Sequence, residues 1–209
     1  MILTPIPPEQ LEAVLDRFAA QLSEPLARAA FAQIRATSHD RAAGAAAERH
    51  RREAMAFARR SGVPVHPPGA SPAVNWDGTA LDGDTEAYVI LHEVAHFALA
   101  PAERRGLVDF GLGPGPDTRD RAAAERALAL PLLEREAEEA EASLLGILWE
   151  AALGQPALAS FLDQNWLEGL ERSATAHFTA VLARLQRRGL ADTALLPGAA
   201  AQPPAREIR

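Results

Sequence analysis

The sequence predicts a mainly α-helical protein of the α+β class, with at most a small β-element, folded as a single domain over residues 1–196. Hydrophobic residues make up 48% of the 209 residues, but aromatic residues only 5%. With its frequent alanine runs, this composition favours close-packed helices over a β-sandwich. Apolar side chains recur at helical spacing over most of the chain, and glycine and proline cluster between the periodic segments.

The first half of the chain is predicted to contain three helices, followed by a segment that forms either two short strands or an irregular loop. Helical periodicity places the helices at residues 8–21, 24–37 and 39–60, the last of them more exposed because it is rich in alanine and arginine. The segment that follows is broken by glycine and proline, and only residues 63–65 and 73–76 are plausible strands. We therefore expect no large sheet.

The second half contains the two helices on which the functional argument depends. An apolar helix is expected over about residues 84–99, and a glutamate-bearing helix over about 131–153, with Pro131 suited to its first turn. A further helix is expected over about 120–130 between them. The Pro- and Ala-rich tail, residues 197–209, is expected to be disordered.

Composition excludes several classes of chemistry. The chain has no lysine and no cysteine, which excludes Schiff-base lysines, thiolate nucleophiles, sulfur-ligated metals and disulfides. Its formal net charge of −7 argues against direct nucleic-acid binding. A basic stretch over residues 49–60 is typical of a solvated helix face, although it could meet an acidic partner. Without a signal peptide or a long apolar run, we expect a soluble, cytoplasmic protein with no membrane association.

The most informative segment is His92-Glu93-Val94-Ala95-His96, an HExxH motif within the apolar helix. Two histidines four residues apart lie about 40° apart around the helix axis, so both imidazoles can bind one metal ion. Glu93 can reach a metal-bound water and act as an acid or base. The alternative is a buried helix with two hydrogen-bonded histidines, which is costly beside a buried carboxylate.

A third metal ligand is expected from the glutamate-bearing helix. Its predicted buried stripe consists of apolar positions, namely Leu133, Ala137, Ala140, Leu144 and Ile147 or Leu148. Glu139 is the preferred ligand, followed by Glu138 and Glu136, with Glu141 also close to the stripe. All four glutamates could instead solvate a surface helix.

Asp109 is the other acidic candidate. It lies thirteen residues beyond His96 in the apolar segment Leu107-Val108-Asp109-Phe110-Gly111. We expect it to orient a ligand imidazole or to serve as the third ligand itself. A simpler role would be to cap a turn before Gly111.

These motifs resemble the bacterial elongation factor P hydroxylase family, in which HExxH is followed by an RRxLVDFG-like segment. Here the segment reads Arg104-Arg105-Gly106-Leu107-Val108-Asp109-Phe110-Gly111, and the similarity covers roughly residues 85–188. The resemblance implies a zincin-like scaffold and a non-haem iron oxygenase that hydroxylates a modified lysyl side chain of elongation factor P. It also implies His92, His96 and Glu139 as ligands, with Asp109 and His177 beside the site. Residues 24–75 and 112–116 depart from the family pattern.

Two metal-dependent reactions fit these residues. In the hydroxylase interpretation, Fe(II) is bound by a facial triad of two histidines and one carboxylate. In the alternative, a zinc metallopeptidase, Zn2+ occupies the triad and Glu93 is the general base, with Tyr88, Arg104 or His177 stabilising the oxyanion. A third interpretation is a non-catalytic helical interaction module. Both enzymes would act on a protein substrate, elongation factor P in the first case.

Overall fold

A computed structural model describes residues 6–70, 72–115, 118–167 and 173–191. The mainly helical fold predicted from the sequence is confirmed, and the 197–209 tail lies outside the described residues. No helix in these four ranges has both the length and the apolar composition of a membrane span. The helices, in chain order, are α1 (Pro8–Gln21), α2 (Pro25–Arg35), α3 (Gly44–Arg60), α4 (Ala87–Leu99), α5 (Arg121–Arg126), α6 (Leu132–Ala152), α7 (Ala157–Asp163) and α8 (Ala174–Arg187).

The HExxH helix α4 lies at the centre of the fold and packs most extensively on α6 and α3. Its buried side chains include Ile90, Leu91, Val94 and Ala95, on more than one side of the helix, as expected for a helix covered by several neighbours. The close approach of α6 depends on Gly146. A Cβ atom at that position would lie 3.2 Å from Cα of His92, closer than ordinary packing allows.

An aromatic cluster packs α1 and α2 against α7 and α8. Phe18 of α1, Phe31 of α2, Phe161 of α7 and Phe178 of α8 form ring pairs with centroids 4.7 to 6.5 Å apart. Such tilted and edge-to-face pairs stabilise a core beyond the area they bury. The cluster fixes α7 and α8 against the N-terminal helices and thereby places residues 164–167, which follow α7.

Of the two alternatives for residues 63–65 and 73–76, the structure has the irregular loop and not the strands. Within the described residues the chain forms only isolated bridges, from Val65 to Leu81 and from Trp76 to Leu81. Proline is the physical reason, since four prolines between residues 64 and 72 cannot donate to a strand ladder. The expectation of no large sheet is confirmed for the described part of the chain.

Several predicted helix bounds were too wide. α3 begins at Gly44 rather than at residue 39, because Ser38 Oγ accepts a hydrogen bond from the Asp40 amide and holds a turn. α4 begins at residue 87 rather than 84. α5 ends at Arg126, and the amide of Ala129 then donates to the carbonyl of Gly111 at 2.8 Å instead of continuing a helix.

Candidate metal centre

Three side chains from two helices converge on one point. Nε2 of His92 lies 3.0 Å from Nε2 of His96, and each of these nitrogens lies 3.4 Å from Oε2 of Glu139. The histidines stand one turn apart on α4, and Glu139 reaches them from α6. The three residues proposed from sequence as ligands are therefore adjacent in the structure.

The spacing of the three donor atoms fits a metal ion. Metal–donor bonds of about 2.1 Å place two donors about 3.0 Å apart at a right angle and about 3.4 Å apart at a tetrahedral angle. The observed separations of 3.0, 3.4 and 3.4 Å match these values. Two imidazoles and one carboxylate also form a donor set that suits zinc and non-haem iron.

The charges around His96 favour a bound cation. Burial would lower the pKa of His96, but the negative charges of Glu139 and Glu138 outweigh burial and raise it to about 10. Burial would likewise raise the pKa of Glu139, whereas the two imidazoles, His96 above all, lower it well below its usual range. The site therefore stabilises positive charge, whether carried by a proton or by a metal ion.

A buried ion pair lies behind His96. Oε1 of Glu138 lies 3.7 Å from Nδ1 of His96, and its other oxygen accepts a hydrogen bond of 2.5 Å from Arg104. Arg104 also donates to the carbonyl of Phe110 at 2.8 Å. All three polar residues are buried. At this distance the contact between Glu138 and His96 is electrostatic rather than a hydrogen bond. A carboxylate beside a ligand imidazole can orient the ring and increase its basicity, so Glu138 is a second candidate for the role predicted for Asp109.

The segment Val108–Gly111 forms a 3₁₀ turn in which three residues have left-handed backbone conformations. Asp109, Phe110 and Gly111 all have positive φ angles, of 42°, 53° and 73°. Phe110 in this region is strained, because its Cβ atom crowds the following carbonyl. The turn brings the ring of Phe110 against His96, with 5.8 Å between ring centroids, and places Asp109 at the cavity.

Asp109 is held in place by its own hydrogen bonds. Its carboxylate accepts from Thr118 Oγ1 at 2.9 Å and from the Trp76 amide at 3.4 Å. Burial raises its pKa, although these hydrogen bonds oppose the shift. Asp109 lines the same cavity as the metal cluster, so a catalytic role for it stays a prediction, as does its role in orienting an imidazole.

Glu93 is buried beside the two histidines. It is 9% exposed and lines the cavity, and its Oε1 accepts a hydrogen bond of 3.2 Å from Nδ2 of Asn75. Burial raises its pKa, against the opposing effect of the imidazoles. A carboxyl group in this environment can hold a proton and release it, as an acid or base requires.

The cluster opens into a cavity of about 510 Å3. The residues directly after α7, namely Gln164, Asn165 and Trp166, line another side of the cavity together with His177 of α8. The His177 ring stacks on Trp166 with 5.2 Å between centroids, and Trp166 Nε1 donates to Ser143 Oγ at 2.8 Å. The structure thus places His177 at the cavity, as predicted, and its catalytic role stays a prediction.

The remaining acidic candidates lie away from the donor atoms. Glu136 is exposed on α6, and Glu141 is buried in ion pairs with Arg184 of α8 and with Arg188, which follows that helix. The predicted stripe was wrong at its start, since Leu133 is 76% exposed and Ala137 is exposed as well. The buried face of α6, beside which Glu139 was predicted as a ligand, therefore does not extend into the first turn of the helix.

Several residues of the site were not identified from sequence. Asn75 and Thr118 hold the two buried acids from separate loops, and Trp166 forms the far side of the cavity. Gly146, which permits the contact between α4 and α6, also carried no motif. Only the small size of Gly146 within a helical pattern could have pointed to close packing.

Comparison of the chain with protein-family models, curated proteins and solved structures finds no match. The function of this chain must therefore be inferred from the donor set, the buried acids and the cavity described above. In the structure the two histidines of the HExxH motif, the carboxylate of Glu139 and the Arg104–Gly111 segment are adjacent.

Proposed function

We propose that this protein is a metal-dependent oxygenase that binds Fe(II) through His92, His96 and Glu139 and hydroxylates a lysyl-type side chain of a protein. The observation that carries the proposal is the triangle of two imidazole nitrogens and one carboxylate oxygen at the cavity. Three protein donors leave other coordination positions available, as in non-haem iron oxygenases. When bound, iron would supply the dioxygen chemistry that side chains lack.

The second motif supports the hydroxylase over other metal enzymes. The Arg104–Gly111 segment resembles that of elongation factor P hydroxylases, and its residues surround the triad. Arg104 pairs with Glu138 behind His96, Phe110 stacks on His96, and Asp109 lines the cavity. We therefore propose elongation factor P as the protein substrate.

The chain's own residues would position the substrate and manage protons. The carboxyl group of Glu93 would accept or release a proton, and the Asn75 amide keeps it in place. Tyr88, Val89 and Leu112 line the cavity with apolar surface and limit the access of water to the substrate side chain. Glu138 fixes the orientation of the His96 ring through Nδ1.

A zinc metallopeptidase is the second candidate, and the buried Glu93 beside the two histidines favours it. In that reaction Glu93 would take a proton from a metal-bound water and transfer it to the leaving amine. An extended peptide is commonly held on the edge of a strand. The described residues form only isolated β-bridges and no strand edge that could hold such a peptide, so this candidate has less support. A non-catalytic interaction module has least, because Glu93 lines an open cavity.

The two enzymes can be separated by one set of assays. Protein stripped of metal is loaded anaerobically with Fe(II) or with Zn2+ and then mixed with elongation factor P that carries its modified lysyl side chain. We expect the iron form alone, on addition of oxygen and a two-electron chemical reductant, to increase the mass of elongation factor P by one oxygen atom, while the second oxygen atom of dioxygen is reduced to water. Glu93→Gln should lower this rate by roughly 10²- to 10⁴-fold while metal remains bound. Peptide cleavage by the zinc form, lost in Glu93→Gln, would instead establish the peptidase.

A further inference from the structure

A second cavity, of about 580 Å3, shares Tyr88 with the metal-site cavity. Among the residues that line it are Arg41, from the connection between α2 and α3, the buried Glu150 of α6, and Asp163 at the end of α7. Tyr88 is thus a shared wall, lying one turn before His92 on α4. Arg41 contacts this wall from the second cavity.

Arg41 makes an unusual number of directed contacts for a residue in a connection. Its guanidinium carbon lies 3.9 Å from the centre of the Tyr88 ring. Its Nη1 donates to Ser160 Oγ at 2.7 Å, and its Nε and Nη2 both donate to Oδ2 of Asp163, at 3.1 and 2.8 Å. Nη1 also lies 3.8 Å from Glu150. One planar group therefore joins α4, α6 and α7.

These contacts fall on the two opposing walls of the metal-site cavity. Tyr88 belongs to the wall formed by α4. Asp163 ends α7, and the next three residues, Gln164, Asn165 and Trp166, form the far wall. Asn165 has a φ angle of 62°, which a non-glycine residue adopts at some cost, so this segment depends on neighbouring contacts to keep its conformation.

We propose that Arg41 is a positioning residue that fixes the separation between Tyr88 and the Gln164–Trp166 wall, and thereby the fit of the substrate side chain in the metal-site cavity. The inference concerns the site of the proposed function and rests on that function. Arginine suits the task because its planar fork can stack on a ring and donate in several directions at once. Lysine offers one compact charge and cannot make all of these contacts.

The simpler interpretation is an ordinary surface ion pair between Arg41 and Asp163, which would contribute little. Two contacts argue against it. Ser160 is fully buried, and Glu150 is 3% exposed, so part of the guanidinium faces the protein interior. The stacking on Tyr88 further connects Arg41 to the helix that carries both histidines.

The test compares Arg41→Met and Arg41→Lys with a matched control, Arg35→Met. The two arginines are similarly exposed, since the side chain of Arg35 is 30% exposed and that of Arg41 is 33% exposed. Arg35 forms ion pairs with Glu12 and Asp16 on α1, far along the chain from the site. With the iron-loaded enzyme and elongation factor P, we expect Arg41→Met to raise KM roughly tenfold, the loss of about one good interaction. The values of kcat and of bound metal should stay unchanged. Asp163→Asn should act in the same direction, and Arg41→Lys should restore only part of the effect.

Hydrogen exchange supplies a readout that needs no activity. Amides of the peptide covering residues 160–167 should exchange faster in Arg41→Met than in wild type, and not in Arg35→Met. An unchanged KM together with unchanged exchange would overturn the inference, as would an equal effect in the Arg35 control. Loss of bound metal in Arg41→Met would assign Arg41 to the metal site instead. If the wild-type protein shows no hydroxylation, the proposed function fails, and the exchange comparison still decides whether Arg41 holds the wall.

Discussion

Glu138 and His96 lie with Oε1 and Nδ1 3.7 Å apart, while the next residue along α6, Glu139, lies 3.4 Å from the other ring nitrogen of His96. Successive residues of a helix point about 100° apart, so the imidazole must lie between the two carboxylates. One glutamate faces the cavity and the other faces the buried arginine. A pair of adjacent acids thus divides into a candidate ligand and a group that orients the ring.

Replacing Glu139 by alanine should abolish stoichiometric metal binding. Glu139 supplies one of the three donor atoms, and two imidazoles alone form an incomplete site. Metal content is measured by elemental analysis after loading with Fe(II) or Zn2+. Glu136→Ala is the matched control, because Glu136 is exposed on the same helix and should leave the metal in place. Retained metal in Glu139→Ala would place the third ligand elsewhere.

Arg104→Met should destabilise the protein by about 3 to 5 kcal/mol, because it leaves the carboxylate of Glu138 buried without its partner. It should also weaken metal binding by roughly 10- to 100-fold, since His96 loses its oriented neighbour. Urea unfolding and metal titration check the two effects. Arg105→Met is the control from the same motif. Arg105 donates to the carbonyl of Ala100 and stacks on Phe97, so its loss should affect metal affinity little.

The sequence predicted the helical class and the pairing of His92 with His96, because both depend on local patterns. HExxH fixes the two histidines on one helix turn, and α1 follows its apolar spacing from Pro8 to Gln21. Glu139 was identified as a member of an acidic cluster on the next long helix. Its place opposite His92 and His96 depends on how α6 crosses α4, which no local pattern specifies.

Other parts of the site could not be predicted because they depend on tertiary contacts. The Asp109–Phe110 turn adopts positive φ angles that the residue types do not favour, and the ion pair between Arg104 and Glu138 supports it. Asn75 comes from a segment in which the sequence allows a strand or a loop, and the structure has a loop beside Glu93. The ion pair of Glu138 with Arg104 and the approach of Glu138 to His96 were likewise not predicted, because the sequence offers Glu138 and Glu139 only as adjacent acids of one helix.

Gly146→Val should separate α6 from α4 and weaken the metal site without touching a ligand. A Cβ atom at Gly146 would lie 3.2 Å from Cα of His92, and a β-branched side chain would add further overlap. We expect a loss of about 1 to 3 kcal/mol in the free energy of unfolding. Metal affinity should fall because Glu139 moves away from the histidines. Ala137→Val, on the exposed face of α6, should leave metal affinity unchanged.

The buried Glu150 should make stability depend on pH. Burial raises its pKa to about 7, although Ser160 and Arg41 oppose the shift and Asp163 adds to it. In the unfolded chain the pKa is near 4.5. The folded state therefore holds the proton more tightly, and the stability present below pH 4.5 is lost as pH rises towards 7. A shift of this size corresponds to a loss of about 3 kcal/mol.

Glu150→Gln removes this titration and separates it from all others in the protein. Glutamine keeps the shape of the side chain but carries no charge, so it avoids the cost of burying a carboxylate in the second cavity beside Arg41. We expect the variant and the wild type to have similar unfolding free energies below pH 4.5, and the variant to be more stable above pH 7. Urea unfolding from pH 4 to pH 8 measures the difference. A difference that stays constant over this range would mean that the pKa of Glu150 is the same in the folded and unfolded states, because Arg41 offsets the effect of burial.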